Sequence, residues 1–280
     1  MAQSLSPSFT ASDGLATLGP AATRVLQGLE SCFLSWIRML DAVEMTLPPL
    51  LRIADLERID YLSNFPQLGM LASSISLVRW NETDGVRGGE LPQVYLNGTR
   101  YALPSAACYG IYFHLENQTL ERSVRITTRG QCFRNEASYT GMTRLRGFLV
   151  RETVCIGTSA EVLAFLERVD GYLRGLADHL KLPIAVQSAT DPFYDRVGSR
   201  AAMQQLFPVK HEVLYKEVAL ASTNFHRNFF AERCNIRLSN GQLAFTGCVG
   251  MGLERWIWAL ADAFDGDIDA ILAALRSYRP

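Results

Sequence analysis

No part of this 280-residue chain concentrates charge of one sign: 27 lysines and arginines stand against 28 acidic residues, a formal net charge of −1. Phosphate contacts dominate nucleic-acid affinity, so the missing basic stretch argues against a polyanion-binding protein. No apolar run approaches the roughly 20 residues that cross a bilayer. The opening MAQSLSPSFTASDG lacks the basic start and apolar centre of a secretory signal. Six cysteines without close regular spacing exclude a disulfide framework. Internal repeats, low-complexity tracts and long linkers are also missing. These absences leave a reduced, cytoplasmic protein with no membrane partner as the expectation. Residues 1–20 read as a flexible tail and residues 21–280 as a single domain, whose 48% hydrophobic content suffices for one large core.

What is present alternates between two periods. Val25, Leu26, Leu29, Phe33, Trp36, Ile37 and Leu40 fall at helical spacing over residues 21–43, and residues 44–51, with Pro48 and Pro49, are extended. Residues 53–62 read as a helix and 75–80 as a strand, and Asn97-Gly98 predicts a hairpin between residues 93–96 and 100–103. Small residues around Cys108 imply close packing or access to a cavity. Residues 124–128 form a strand, and 159–180 form an amphipathic helix capped by Thr158 or Ser159, with Glu161 early and His179 late. Further strands are expected at 182–187, 214–220 and 243–248, and helices at 199–206, 252–264 and 268–278. Many strands paired in hairpins with interspersed helices give an α+β fold, an antiparallel sheet covered by helices.

The stretch QCFRNEASYTGMTRLRGFLVRETVCIG, residues 131–157, reads as two strands joined by a loop. Side chains alternate along a strand, so Cys132, Arg134 and Glu136 share one face of the first. On the second, Phe148, Val150, Glu152 and Val154 share a face, opposite Leu149, Arg151, Thr153 and Cys155. Such a hairpin is able to form a polar floor for a nucleoside triphosphate and a small charged substrate. An exposed hairpin whose charges are merely solvated fits the same pattern. Further along, TGCVGMGLERWIWAL, residues 246–260, is a strand, a Gly-rich turn and a helix with Arg255 in its first turn. Glycines allow close backbone approach and a helix N-terminus favours phosphate, yet this is neither a P-loop nor a Rossmann turn. A tight strand-to-helix corner looks the same.

Phe-Arg-x-Glu, a loop, then Arg-x-x-x-Phe-x-x-x-Glu is similar to the second signature motif of class II aminoacyl-tRNA synthetases, and CFRNEA resembles the seryl enzymes. Gly-x-Gly-x-x-Arg resembles the third motif, and the helix with its proline-bearing strand the first, which forms the dimer interface in that family. The resemblance, from about residue 21 onward, implies the class II catalytic-core fold and a likeness to a homodimer. It matches Arg134 to the α-phosphate and substrate carboxylate, Arg255 to the γ-phosphate, Phe148 to adenine stacking and Glu136 to the adenine amino group. A Mg²⁺ carboxylate is expected on YKEVAL, where Glu217 is chosen, and Ser222 and Asn224 are expected to line the amino-acid pocket.

Within the family, archaeal-type seryl-tRNA synthetases and their relatives, the amino acid:[carrier protein] ligases, carry a catalytic-site zinc. The resemblance matches its ligands to Cys108, Glu152 and Cys248. Three protein ligands leave a fourth position open, where a neutral α-amine fits. Small buried packing residues are the competing reading of the cysteines. Cys155 faces away from Glu152, Cys132 remains a substitute ligand, and Cys32 and Cys234 read as packing residues. His114, His179 and His226 fit no ligand spacing, and His211 follows a polar, turn-rich segment.

A seryl enzyme needs a tRNA-binding extension, and here one helix and a tail precede the core. The resemblance therefore implies an ATP-dependent amino acid:[carrier protein] ligase. Such an enzyme forms an aminoacyl-adenylate of a small amino acid, glycine or alanine. It then charges the phosphopantetheine thiol of an acyl or peptidyl carrier protein, and no tRNA is expected as acceptor. Residues 191–210, with Arg196, Arg200 and Lys210, are the expected carrier docking segment or a solvated loop. A seryl-tRNA synthetase-like enzyme and a non-catalytic amino-acid sensor are the alternatives. Arg134, Glu136, Phe148 and Arg255 argue against the sensor, which has no use for ATP-binding residues.

Overall fold

The computed structural model describes residues 9–81, 88–206 and 208–280. The chain begins with strands β1 (Phe9–Ser12) and β2 (Leu15–Leu18), then helix α1 (Pro20–Met39), a short strand β3 (Val43–Glu44), β4 (Leu51–Arg52), and helices α2 (Ile53–Arg58) and α3 (Tyr61–Asn64). There follow β5 (Met70–Ala72), α4 (Leu77–Trp80), β6 (Tyr101–Leu103), α5 (Tyr109–His114), β7 (Thr119–Leu120), β8 (Val124–Phe133) and β9 (Gly147–Gly157). The second half holds α6 (Ser159–His179), β10 (Ile184–Ala189), α7 (Ser199–Leu206), β11 (Lys210–Tyr215) and β12 (Val218–Arg227). It closes with α8 (Phe229–Cys234), β13 (Arg237–Leu238), β14 (Phe245–Gly252), α9 (Leu253–Ala263) and α10 (Ile268–Ser277).

The central sheet has the order β1-β2-β9-β14-β12-β11-β10, with β8 on β9 and β3 on β8. Its long neighbours, β8 through β12, are all antiparallel. Alternation along β9 divides the core. Cys155 faces the layer of α1, α6 and α9, built around Phe33, Trp36, Leu173 and Trp256, while Val154 faces Tyr112, Ile126 and Phe230 beneath α5 and α8. The first face is covered by long helices whose apolar stripes recur at helical spacing. The second is covered only in part, by two short helices, and the remaining strip of sheet is where a cleft opens. Among the described residues, no helix is long and apolar enough to cross a membrane.

Several expectations shift. Residues 9–18, read as part of the tail, form a hairpin that joins the sheet, with Leu15 beside Gly147; residues 1–8 of that tail lie outside the described residues. Residues 75–80 are not a strand, because residues 77–80 turn helical and Ile75 makes only a bridge to Leu96. Asn97 closes no hairpin: its side chain ties back to Ser74 and Ile75, and β6 pairs with β4 and β5 instead. The strand expected at 214–220 is broken by a two-residue turn, Tyr215 facing Val218, with Lys216 at φ 52°. In α6 the cap is Thr158, whose hydroxyl accepts the Glu161 amide while Glu161 accepts the Thr158 amide.

Candidate active site

The cleft is built rung by rung across the sheet. One rung places Ser222, Gly250, Glu152 and Thr128 side by side, and the next but one places Asn224, Cys248 and Val154. Residues on such rungs project from one face. Above them lies the segment 104–108, pinned by the Phe133 amide donating to the Pro104 carbonyl at 2.7 Å. Only glycine fits beneath it at position 130, since a Cβ there would stand 2.9 Å from that of Ala107. The approach turns two amides onto one carboxylate: Ala107 N–H donates to Glu152 Oε1 at 3.0 Å and Cys108 N–H to Oε2 at 2.9 Å.

Cys108, Glu152 and Cys248 thereby meet, all buried, with their ligating atoms within 4.8 Å of one another. Electrostatics within the trio are strained. The Cys108 thiol donates to Cys248 sulfur, which lowers the pKa of Cys248 and, with burial, raises that of Cys108. Burial pushes the Glu152 carboxyl up, and the negative charge on Cys248 adds to it. Two sulfurs and a carboxylate with too much negative potential and too little water are a donor set that suits zinc, and three ligands leave room for a substrate atom. The site fits such an ion.

Beside the trio lie the arginines. Arg134 donates from Nε and Nη2 to the Ser105 carbonyl at 3.3 and 3.2 Å, and its guanidinium carbon sits 5.1 Å from the Phe148 ring centre. Residue 134 lies past the end of β8, not on it. Its amide still bonds the Arg146 carbonyl, but Asn135 turns away to the Leu68 carbonyl, so strand alternation does not extend to Glu136. Glu136 instead meets Arg144 at 3.3 Å, and its amide donates to the Tyr139 hydroxyl at 3.0 Å rather than to a strand carbonyl. Arg255, in the first turn of α9, donates from Nε to the Thr143 carbonyl at 2.8 Å and from Nη1 to the Ala219 carbonyl at 2.9 Å. Burial, then the like charge of Arg134, lowers its pKa.

Two cavities meet here. The larger, about 500 Å³, runs from Cys108, Asn224 and Cys248 out past Tyr61, Phe193 and Phe229. The smaller, about 120 Å³, holds Glu136, Phe148, Glu212, Glu254 and Arg255. Arg134, Glu152, Lys210, Ser222 and Gly250 belong to both walls. At the junction Lys210 Nζ lies 3.1 Å from Asp191 Oδ1 and 3.3 Å from Glu212 Oε1. Burial opposes ionisation of Asp191, but Lys210 and Gln204 outweigh it and hold its pKa low. Asp191, Phe193, Met203, Gln204 and Lys210 belong to one wall, with Phe193 stacked on Phe65 at 5.1 Å and Gln204 bonded to Asp191.

The structure thus gathers Cys108, Arg134, Glu136, Phe148, Glu152, Ser222, Asn224, Cys248 and Arg255 around one cleft. It does not gather Glu217, which is exposed in the turn after β11 and lines neither cavity. The turn diverts it, and Glu212 is the carboxylate of that hairpin that faces the arginines. Cys132 packs with Ala107 and Val150, outside the trio, and Cys155 joins the opposite core layer. Sequence reasoning missed His226, whose Nε2 lies 3.5 Å from Cys248 sulfur. It also missed Glu212, and it placed Lys210 among the basic residues of the docking segment, whereas the structure pairs Lys210 with Asp191 and Glu212 at the junction of the two cavities. These contacts join residues from different elements, which no spacing along the chain records.

Comparison with known proteins bears on this geometry. The profile of the tRNA synthetase class II core domain (G, H, P, S and T) matches residues 95–264. Amino acid--[acyl-carrier-protein] ligase 1 of Bradyrhizobium diazoefficiens is 32% identical, over 83% of this chain and 74% of its own length. The type-2 serine--tRNA ligase of Methanothermobacter thermautotrophicus is 28% identical, over 86% of this chain and 51% of its own. Among solved structures, M. kandleri SerRS in complex with A. aeolicus tRNASec superposes with a TM-score of 0.80 at 19% identity, covering 96% of this chain and 58% of that one.

Proposed function

The chain belongs to the class II tRNA synthetase core family and is a ligase, and on that premise we propose that it activates a small amino acid with ATP and passes it to the phosphopantetheine thiol of a carrier protein. The observation that carries this reading is the pair of cavities joined at Arg134, Glu152 and Ser222. One reaction needs two approaches to a single carbon, a nucleotide on one side and a thiol on the other.

ATP takes the smaller cavity, with Phe148 beneath adenine, Glu136 toward its amino group and Arg255 at the γ-phosphate. The amino acid lies at the junction, among Ser222, Asn224 and Glu152. Its carboxylate oxygen attacks the α-phosphorus, and the bond to the pyrophosphate oxygen breaks. Charge grows on the non-bridging oxygens, where fixed donors from Arg134 lower the barrier. The thiol sulfur then attacks the activated carbonyl, the thioester forms, the thiol proton is lost and AMP leaves. Glu212 takes the Mg²⁺ role first assigned to Glu217, because it alone of the two faces this cavity. Cys108, Glu152 and Cys248 would hold a zinc ion, which supplies a Lewis acid for the lone pair of the amino group. Glycine or alanine is the amino acid carried over from the resemblance.

The thiol arm enters through the larger cavity, whose outer wall includes Asp191, Phe193, Met203 and Gln204. Nearby, Tyr194, Val197 and Leu206 are exposed by 68%, 92% and 72%, and Arg196 is exposed too. Exposed apolar side chains with an arginine among them suit an acidic carrier helix. Self-association through α1 and β3 belongs to the same reading, supported by exposed Met39 and Val43. Six free, buried cysteines fit a reducing compartment such as the cytoplasm.

The test has two stages. ATP–pyrophosphate exchange across the standard amino acids should single out a small one, and Arg255→Ala should abolish it. Charging should then require the phosphopantetheinylated carrier and fail with bulk tRNA; efficient tRNA charging would instead identify a seryl-type enzyme. Reversing charge at Arg196 and Arg200 should weaken carrier charging and leave exchange intact, and unchanged charging would remove this docking surface.

A further inference from the structure

Strand β12 carries an irregularity just past the point where Asn224 pairs with Cys248. Phe225 pairs with Gly247, yet Arg227 pairs with Thr246, so His226 is an extra residue opposite a single step of β14. The next residue, Arg227, takes φ 54°. His226 continues the face of Ser222 and Asn224 along β12, on the wall of the larger cavity. The bulge changes where along β14 its ring stands, and such bulges cluster beside active sites.

The ring is fixed from three directions. Nε2 lies 3.5 Å from Cys248 Sγ. Nδ1 lies 3.3 Å from the Tyr112 hydroxyl and 3.3 Å from the Thr246 hydroxyl. Phe230 meets the ring edge-on at 4.9 Å, and Tyr112 in turn stacks flat on Phe230 at 4.1 Å. Tyr112 and Thr246 are fully buried. Either hydroxyl can donate to Nδ1, and with Nδ1 accepting the ring proton is assigned to Nε2, aimed at sulfur. Cys248 sulfur also receives the Asn224 amide at 3.5 Å.

We propose that His226 is a positioning residue for the metal ligand Cys248, its Nε2–H donating to the sulfur and so setting the direction and electron density of that thiolate. The inference rests on the metal reading of the Cys108–Glu152–Cys248 trio and goes beyond it. A thiolate ligand has lone pairs in excess of the one it gives an ion, and a donor on the others holds it in place. Tyr112 and Thr246 act one step further out, by holding the imidazole in the tautomer that donates. Partners outside the immediate ligands govern metal affinity by about 10- to 100-fold in well-studied sites.

The experiment loads the full chain with zinc and measures affinity by chelator competition, then repeats the loading with cobalt and records the sulfur-to-cobalt charge-transfer band. Wild type should bind one ion, and its cobalt form should show the thiolate band. His226→Leu should bind about 10- to 100-fold more weakly and shift that band. His226→Gln, which keeps an N–H donor, should recover most of both. Tyr112→Phe should move the band in the same direction by less, and it serves as the readout should His226→Leu fail to fold. Zinc affinity and cobalt band unchanged in His226→Leu, or, should that variant fail to fold, a cobalt band unchanged in Tyr112→Phe, would overturn the proposal. So would variants that keep both and lose only thiol charging, since that places His226 with the acceptor. Wild type binding no ion sinks the metal reading itself, an outcome distinct from a wild type that binds and variants that do not differ.

Discussion

The guanidinium of Arg134 is held between the Ser105 carbonyl, 3.2 Å from Nη2, and the face of Phe148, 5.1 Å away. The planar fork and the aromatic platform act together: the ring sets the plane, and the carbonyl sets the rotation. Lysine retains the charge but neither the fork nor the stack. Arg134→Lys should therefore lower the exchange rate by about 100-fold, the loss expected when one preorganised donor is removed. Phe148→Leu should leave the charge in place while loosening its plane and removing the proposed adenine platform, raising KM for ATP about fivefold, as fits the loss of a stacking contact of about 1 kcal/mol. Initial rates at varied ATP separate the two. Equal effects on kcat and KM from both variants would dissolve the division of labour.

Glu212 lies on β11 and Glu217, five residues further on, lies in the turn that follows it, one lining the small cavity and the other exposed. A carboxylate that places Mg²⁺ must face the phosphates, because the ion bridges protein oxygen to phosphate oxygen. Glu212→Gln should cut exchange by about 100-fold and raise the magnesium concentration needed for half-maximal rate. Glu217→Gln should stay within about twofold, as an exposed substitution does. Magnesium titrations of the two variants decide it, and the reverse pattern would return the role to Glu217.

The contrast between these residues shows what the sequence could carry. Glu152 was legible because β9 keeps its alternation unbroken from Gly147 to Gly157, so every second side chain reaches the same face. Helix α7 was legible to the residue, and the cap of α6 was narrowed to Thr158 or Ser159, of which the structure takes Thr158. Cys108 and Cys248 came from a resemblance, and the structure brings both to Glu152. Glu217 was misplaced because Lys216 takes a left-handed backbone without the glycine or asparagine that normally announces one. His226 was passed over because it fits no ligand spacing; it shares the face of Ser222 and Asn224 along β12, and only the pairing of β12 with β14 shows that this face meets Cys248. The N-terminal hairpin was missed because Leu15 pairs with Gly147, far away in the chain.

Arg151 points from β9 to the side opposite Glu152 and ties three elements together. Its Nη2 meets Glu30 of α1 at 2.6 Å and its Nη1 meets Glu44 of β3 at 2.7 Å, with Arg151 only 2% exposed. Glu30 is itself buried, so Arg151→Met leaves a carboxylate with little water and a weaker partner, the half-exposed Arg129 at 3.7 Å. The expected loss is about 3–5 kcal/mol, less the fraction Arg129 offsets. Arg151→Met with Glu30→Met should recover most of it, since the cost lies in the stranded charge and not in the missing pair. Urea denaturation of both proteins is the check. A double variant no more stable than the single one would show that packing, not charge, is what Arg151 supplies.

Glu254 gives the fold a pH dependence of definite sign. It opens α9, is 5% exposed, and takes the Leu149 amide on both carboxyl oxygens at 2.9 Å. Burial pushes its pKa from 4.5 up to about 7, against the pull of that amide. Between those two values the folded state holds a proton that the unfolded state has released. Stability from this group is therefore fully present below pH 4.5 and is lost as pH rises to 7, at about 1.4 kcal/mol per pH unit for one proton. Glu254→Gln mimics the protonated form at every pH. Its stability should match wild type near pH 5 and exceed it near pH 8, with the gap opening across the interval. Denaturation curves at pH 5, 6, 7 and 8 read this directly, and a gap that does not change with pH would mean that the carboxyl stays ionised throughout. The residue lines the small cavity beside Arg255, so the same proton decides whether Arg255 faces the triphosphate with a neutral neighbour or a competing anion. ATP affinity should accordingly weaken over the pH interval in which wild type loses stability, and Glu254→Gln should abolish that weakening.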